Sequence, residues 1–131
     1  MSINVNWKEK RQFTVVTSGG FTLDIDSESK SAPCPTEILL SALGSCSATD
    51  VALYFEDNNL ELKKLTNELT YELTDTEPRL YKSVNLHFSI EATNVSEHQV
   101  ETAIKDAITK YCHVCLMLKP AMTITHSLDL N

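Results

Sequence analysis

The chain has 131 residues, of which 11 are basic and 18 are acidic, so its formal net charge is −7. A chain of this length is expected to fold as one domain over residues 1–131, with a genuine hydrophobic core. The acidic balance and the lack of any basic run argue against nucleic acid as a partner. The N-terminus, M-S-I-N-V-N-W-K, has no signal-peptide pattern, so we expect a cytoplasmic protein.

The N-terminal quarter of the chain has the alternating pattern of short β-strands. Ile3, Val5 and Trp7 alternate with polar residues, which predicts a first strand over about residues 2–9. Two more strands, separated by a Ser-Gly-Gly turn, are predicted to complete an antiparallel meander. A polar, proline-containing loop over residues 26–35 then leads into the next element.

The segment from Pro35 to Phe55 is predicted to be the central helix, because its apolar residues fall on every side. Asp50 and several hydroxyl groups interrupt a run shorter than the roughly 20 apolar residues that a bilayer requires, so we expect no membrane span. Pro35 and Glu37 suit the first turn of a helix. One small subunit can hardly cover such a helix on all sides, which predicts an oligomer.

The second half of the chain predicts a hairpin, a helix and a last strand. Two alternating stretches between residues 60 and 92 indicate a long hairpin. Ser96 and Gln99 have the spacing of a capping box, which begins an amphipathic helix predicted to end near Cys112. Residues 121–130 alternate again. The order βββ-α-ββ-α-β predicts an α+β fold of antiparallel strands around helices.

The cysteines are the residues with the clearest chemical potential. Cys46 lies in the middle of the central helix, where a lone cysteine is more often a small core residue than a reactive one. Asp50, one turn later, disfavours a thiolate there, and Glu37 is about 180° away around the helix. Cys112 and Cys115 have the C-x-x-C spacing of redox dithiols and of half a zinc site. No second pair of ligands has zinc spacing, so we expect no metal.

Two stretches together resemble a known family. P-T-E-I-L-L-S-A-L-G-S-C-S-A-T-D-V and K-Y-C-H-V-C-L-M-L look like the paired cysteine motifs of the OsmC/Ohr proteins. The first is most similar to the branch whose motif reads P-x-E-L-L-L-A-A-L-G-x-C, and the likeness covers nearly all residues from Trp7 to Leu130. The resemblance implies an intertwined homodimer in which central helices pack between antiparallel sheets and the thiols lie near the interface.

The same resemblance implies a cysteine-based peroxidase that reduces organic hydroperoxides under oxidative stress. By this likeness Cys46 corresponds to the peroxide-reacting cysteine and Cys112 to the resolving one, while Cys115 stands where relatives often have serine. Family reductases also use an early arginine and a glutamate just after the first-motif proline. Arg11 and the displaced Glu37 are the corresponding auxiliary candidates, and Cys115 is a further one, since an extra cysteine could modify the redox cycle. No cofactor is implied, but an external dithiol must restore the thiols.

A second hypothesis is a non-catalytic dimer of the same fold that binds a small apolar ligand in an interface pocket. Such a protein would show ligand-dependent stabilisation without peroxide turnover. A third hypothesis, metal binding through Cys112 and Cys115 with a distant histidine, rests on the C-x-x-C spacing alone.

Overall fold

The order of the secondary structure elements follows the predicted order and adds one short helix. The computed structural model describes residues 1–131, and its elements form two compact units, residues 1–41 and residues 42–131. The predicted single domain therefore stays a prediction. The elements are β1 (Asn4–Glu9), β2 (Gln12–Val16), β3 (Thr22–Asp26), α1 (Pro35–Asp57), β4 (Leu62–Leu73), β5 (Tyr81–Ala92), α2 (Glu97–Asp106), α3 (His113–Leu118) and β6 (Thr123–Leu130).

The first unit contains the predicted antiparallel meander, in the order β1-β2-β3. The loop after β3 is organised by Asp26, whose carboxylate accepts hydrogen bonds from the backbone N–H groups of Glu28, Lys30 and Ser31. These bonds, the one from Glu28 foremost, lower the pKa of Asp26 because they stabilise the ionised carboxylate. The polar loop is therefore ordered by one side chain rather than by a regular element.

The second unit contains a three-stranded sheet in the order β4-β5-β6, and here one prediction is wrong. The hairpin of β4 and β5 is antiparallel, as expected, but β6 runs parallel to β5, with Phe88 opposite Leu128. The physical reason is the long connection through α2 and α3, which returns the chain to the starting end of β5. The sheet is thus mixed rather than wholly antiparallel.

The core of the second unit lies on one face of β5 and on the buried side of α2. Alternate residues of β5 are fully buried, as period-two burial requires, and residues of α2 pack at helical spacing. The fully buried members of these two sets are Val84, Leu86, Phe88, Ile90, Val100 and Ile104.

Within the single chain the α1 helix is buried on one side only. Its buried residues recur at helical spacing and include Leu43, Val51 and Phe55, whereas Leu39 and Leu53 are 39% and 44% exposed. Length and composition alone would allow α1 to cross a bilayer, but apolar core helices have the same character. The apolar residues that remain exposed leave α1 a second face to cover.

A glycine brings α1 unusually close to β4. A Cβ atom placed on Gly44 would lie 2.7 Å from Cδ1 of Leu69, so any larger residue would require the leucine to move. Beside it, the Asn67 amide nitrogen of β4 donates to the carbonyl oxygen of Gly44 at 3.0 Å and to Oγ of Ser47 at 3.2 Å. This contact fixes the turn of α1 that contains Cys46.

The start of α2 gives a direct test of local helix stabilisation. Ser96 Oγ accepts from the N–H of Gln99, and the Gln99 side chain accepts from the N–H of Ser96, so the predicted capping box is confirmed. Replacing Ser96 by alanine removes one acceptor, and we expect the free energy of unfolding to fall by about 1 kcal/mol. Urea denaturation measures the change. Ser96→Thr, which retains the hydroxyl, should lose much less, and equal losses in both variants would contradict the capping role.

Candidate functional site

The path from α2 to α3 brings the C-x-x-C segment into the core. After α2 the helix widens into a π-helical segment, Ala107–Tyr111, which ends when the Cys112 N–H donates to the Ala107 carbonyl oxygen at 2.7 Å. Cys112 itself is extended, with φ −69° and ψ 110°. The predicted end of the helix near Cys112 is therefore right, but the π-helical geometry was not anticipated. Such segments are common near functional sites.

A new helix begins immediately after Cys112. The thiol of Cys112 caps α3 by accepting a hydrogen bond from the backbone N–H of Cys115 at 3.3 Å. The C-x-x-C segment thus spans the start of a helix, whereas the sequence pattern indicated that it follows the end of one. His113 is the exposed first residue of α3.

Three thiols and a carboxylate meet between α1 and this segment. The Cys46 sulfur, the Cys112 sulfur and a carboxylate oxygen of Asp50 all lie within 4.8 Å of one another. Cys115 adjoins this group through its contact with Cys112. We call these four residues the thiol cluster. Cys112 and Cys115 are buried, while Cys46 is half-buried and is the most accessible thiol of the cluster.

Burial keeps the two thiols of the C-x-x-C segment protonated. Loss of solvation raises the pKa of Cys112 far above its usual range, and hydrogen bonding with the thiols of Cys46 and Cys115 raises it further. Burial also raises the pKa of Cys115, as do negative charges on Cys46 and Asp50. The hydrogen bond between Cys112 and Cys115 lowers the pKa of Cys115, because it leaves the proton on Cys112.

The cluster can perform thiol–disulfide chemistry with only small movements. A disulfide bond requires the Cys46 and Cys112 sulfurs to approach to about 2.05 Å. Because the two sulfurs already lie within 4.8 Å of each other, rotation of the two side chains can bring them to this distance.

The same two sulfurs and the carboxylate oxygen also offer three ligands of the kind that zinc accepts. A structural zinc site usually takes four ligands, and the expectation of no metal stays a prediction.

The remaining predicted site residues lie in the first unit. Arg11 is exposed and forms an ion pair with Glu28 at 3.9 Å. Glu37 lies in the first turn of α1, nine residues before Cys46. The auxiliary roles of Arg11 and Glu37 stay predictions. The fourth thiol, Cys34, lies at the end of the loop before α1, where Thr36 Oγ1 is 3.5 Å from its sulfur.

A cavity of about 610 Å³ opens beside the thiol cluster, within residues 42–131. Asp50 contributes both to its wall and to the cluster. Apolar side chains line part of the cavity, including Leu53 of α1, Ala103 of α2 and Tyr111. The combination of an apolar wall and an acidic border could accommodate a molecule with an apolar body and one polar end.

The sequence patterns do not predict a polar network that connects β5 and β6. The ring of His87 contacts Ser127 Oγ at 2.7 Å and Asp129 at 3.0 Å, and the Asn85 amide donates to the same hydroxyl at 3.1 Å. The alternation within each strand indicated that these polar residues lie on one face of their strand. Only the parallel register of β5 and β6 brings the residues of the two strands into contact. This network lies apart from the thiol cluster in sequence and sheet position.

Comparison with known proteins finds relatives that match most of the chain. The family model described as OsmC-like protein matches residues 27–127. The Protein YhfA of Escherichia coli K12 is 34% identical over 130 residues, which are 98% of this chain and 97% of that protein.

Solved structures share the fold over nearly the whole chain. A hypothetical protein from Aquifex aeolicus has a TM-score of 0.87 at 25% identity, covering 99% of this chain and 95% of that one. The organic hydroperoxide resistance protein OhrB of Bacillus subtilis has a TM-score of 0.65 at 12% identity, covering 98% of both chains. The likeness to OhrB concerns the fold alone.

The four thiols should differ in their reactivity towards iodoacetamide. Hydrogen bonds from the side chains of Thr36 and Ser29 and from the N–H of Glu37 lower the pKa of Cys34 because they stabilise its thiolate. At pH 7 we therefore expect Cys34 to be alkylated well before Cys112 and Cys115, as followed by peptide mass spectrometry.

The isosteric variant Thr36→Val provides the matched control for this prediction. It removes the hydroxyl group that contributes most to the lowered pKa of Cys34, so alkylation of Cys34 should slow. Rates in urea should be similar for all four cysteines. The prediction is wrong if native Cys34 reacts no faster than buried Cys112.

Proposed function

Because the chain belongs to the family of OsmC-like proteins, we propose that it is a peroxidase that reduces organic hydroperoxides through a two-cysteine redox cycle. The observation that carries the proposal is the approach of the Cys46 and Cys112 sulfurs to within 4.8 Å. These are the two cysteines that the motifs assign to the cycle. The fold is also that of OhrB, which is named for organic hydroperoxide resistance.

In the first step the Cys46 thiolate attacks the distal oxygen of the hydroperoxide. The O–O bond breaks, the alkoxide takes a proton and leaves as the alcohol, and Cys46 becomes a sulfenic acid. Cys46 is suited to this role because it is the most accessible thiol of the cluster, while Cys112 and Cys115 are buried. The attacking residue must meet substrate, and the resolving residue needs only to meet Cys46.

In the second step Cys112 condenses with the sulfenic acid to form a disulfide and water. The raised pKa of Cys112 makes the loss of its proton the difficult part of this step. The Asp50 carboxylate lies within 4.8 Å of both sulfurs, a separation at which it can receive that proton through one water molecule. An external dithiol then reduces the disulfide by thiol–disulfide exchange.

The cavity beside Asp50 supports an organic rather than an inorganic peroxide. Leu53, Ala103 and Tyr111 offer contacts to an alkyl or aryl group, and hydrogen peroxide has no such group. Binding of the apolar body would place the peroxide end near Asp50 and the thiols. The second hypothesis, a non-catalytic dimer with a small apolar ligand, receives less support, because Asp50, Asp57 and other polar groups share the lining.

A homodimer is part of the proposal, because the single chain exposes much apolar surface. In the first unit the meander leaves large side chains open to solvent, and α1 adds Leu39 and Leu53. Exposed apolar groups of this extent typically mark an interface. The exposed large residues of the meander are Ile3, Val5, Trp7, Phe21 and Leu23.

Stopped-flow oxidation of the reduced protein tests the proposed reaction. We expect cumene hydroperoxide to oxidise the protein much faster than hydrogen peroxide does. Cys46→Ser should lower the rate on the order of 100-fold or more, because the attacking nucleophile is lost. Cys112→Ser should still react once, but it should stop at the sulfenic acid without forming a disulfide.

Cys34→Ser is the matched control, since it removes a thiol outside the cluster and should leave the rate unchanged. Thiol quantification and mass spectrometry identify the products. The proposal fails if wild-type Cys46 is oxidised no faster than a cysteine in a short unstructured peptide.

The dimer is tested by the mass in solution. The wild-type protein should have about twice the chain mass of 14.6 kDa in analytical ultracentrifugation. Trp7→Glu introduces a charge into the exposed apolar face of β1 and should shift the protein towards the monomer. Asn6→Glu adds the same charge on the other face of the strand and should not. A monomeric wild-type protein would contradict the proposed dimer.

A further inference from the structure

Cys115 is a buried nucleophile that the two-cysteine cycle does not use. Its backbone N–H donates to the Cys112 sulfur at 3.3 Å, and its own thiol shares a hydrogen bond with Cys112. The side chain is fully buried, so a reagent in solution has little access to it. Its contacts are therefore with the thiol that the cycle converts to a disulfide, rather than with solvent.

We propose that Cys115 is a relay thiol, which attacks the Cys46–Cys112 disulfide and moves the bond to the Cys112–Cys115 pair. The inference rests on the proposed peroxidase cycle for the first disulfide. In the exchange the Cys115 thiolate attacks the Cys112 sulfur, the Cys46–Cys112 bond breaks, and Cys46 leaves as a thiolate. No electrons enter or leave the protein, and the proton lost by Cys115 is taken up by Cys46.

The local backbone geometry allows the new bond. Cys112 is the capping residue of α3 and Cys115 lies in its first turn. Residues three apart at the start of a helix have Cα atoms about 5 Å apart, which is within the range that disulfides span. The Cys112 sulfur already points at the N–H of Cys115, so it needs only a small rotation to meet the second sulfur.

Solvation gives the exchange its direction. Cys46 is half-buried, whereas Cys112 and Cys115 are 0% and 1% exposed. A disulfide between Cys112 and Cys115 leaves Cys46, the thiol with the best access to water, as the free thiol. It also removes two buried thiols whose ionisation is unfavourable.

The consequence is that the oxidised protein recovers its peroxide-reacting thiol. A protein limited to the Cys46–Cys112 disulfide consumes one equivalent of hydroperoxide when no reductant is present. With the relay, Cys46 is free again and can be oxidised to the sulfenic acid by a second equivalent. Because burial raises the pKa of Cys115, the relay should accelerate with pH, about tenfold per unit below that pKa.

The location of the disulfide can be read from tryptic peptides. Cys46 lies in the peptide of residues 31–63 and the C-x-x-C pair in the peptide of residues 111–131, since Lys119 precedes proline and is not cleaved. A Cys46–Cys112 disulfide therefore links two peptides. A Cys112–Cys115 disulfide stays within one peptide and leaves Cys46 available for alkylation.

The experiment uses reduced Cys34→Ser protein, so that the loop thiol does not interfere. One sample receives cumene hydroperoxide and another receives diamide, which forms disulfides without peroxide chemistry, and free thiols are alkylated in acid at timed intervals. We expect the linked peptides to appear first in the peroxide sample. The bond within residues 111–131 should then replace them, in an excess on the order of tenfold.

When Cys115→Ser is added to the Cys34→Ser parent, the Cys46–Cys112 link between the two peptides should persist. This double variant should consume one equivalent of hydroperoxide rather than two. Cys115→Ala provides the same test if the serine variant folds poorly, as judged by circular dichroism. A stable Cys46–Cys112 link with alkylated Cys115 in both parent samples would overturn the relay. If peroxide fails to oxidise the protein but diamide yields a Cys46–Cys112 link that the Cys112–Cys115 bond then replaces, the peroxidase proposal fails and the relay stands.

Discussion

The close approach of α1 to β4 at Gly44 is the constraint on which the site depends. Any side chain there would meet Leu69, and the Asn67 amide ties the helix to the strand through the Gly44 carbonyl oxygen. Cys46 lies two residues later, on the turn that these contacts hold against β4. The sulfur of Cys46 is thus held at a defined place, and the second thiol must be delivered to it by the rest of the chain.

The position of the Cys112 thiol depends on how the helical segment that follows α2 ends. If the α-helix had continued regularly through Cys112, the side chains of Cys112 and Cys115 would follow the same rotation of about 100° per residue as the residues before them. Instead the π-helical segment closes on Ala107, and Cys112 becomes extended before α3 begins. This break allows one thiol to face Cys46 while its sulfur also caps the new helix. The same bend buries Cys115 behind it.

The sequence predicted the features that local patterns encode. Strand alternation, the capping box at Ser96 and the long apolar helix all appear in the structure near the expected positions. The parallel pairing of β5 with β6 was not predicted, because it depends on where a long connection returns rather than on the residues of either strand. Periodicity likewise shows which faces of α1 are apolar, but not which of them a single chain covers.

For the site, the motif resemblance selected Cys46 and Cys112, whereas composition alone favoured a packing role for Cys46. Spacing could not reveal that Asp50 approaches both sulfurs, since that proximity depends on the break before α3. The carboxylate has opposing effects in such a cluster. Its charge disfavours a thiolate at Cys115, yet its oxygen lies within 4.8 Å of the Cys112 sulfur, which must lose a proton. A buried thiol beside a half-buried carboxylate can therefore be slow to ionise at rest and still have a route for its proton once a sulfenic acid has formed beside it.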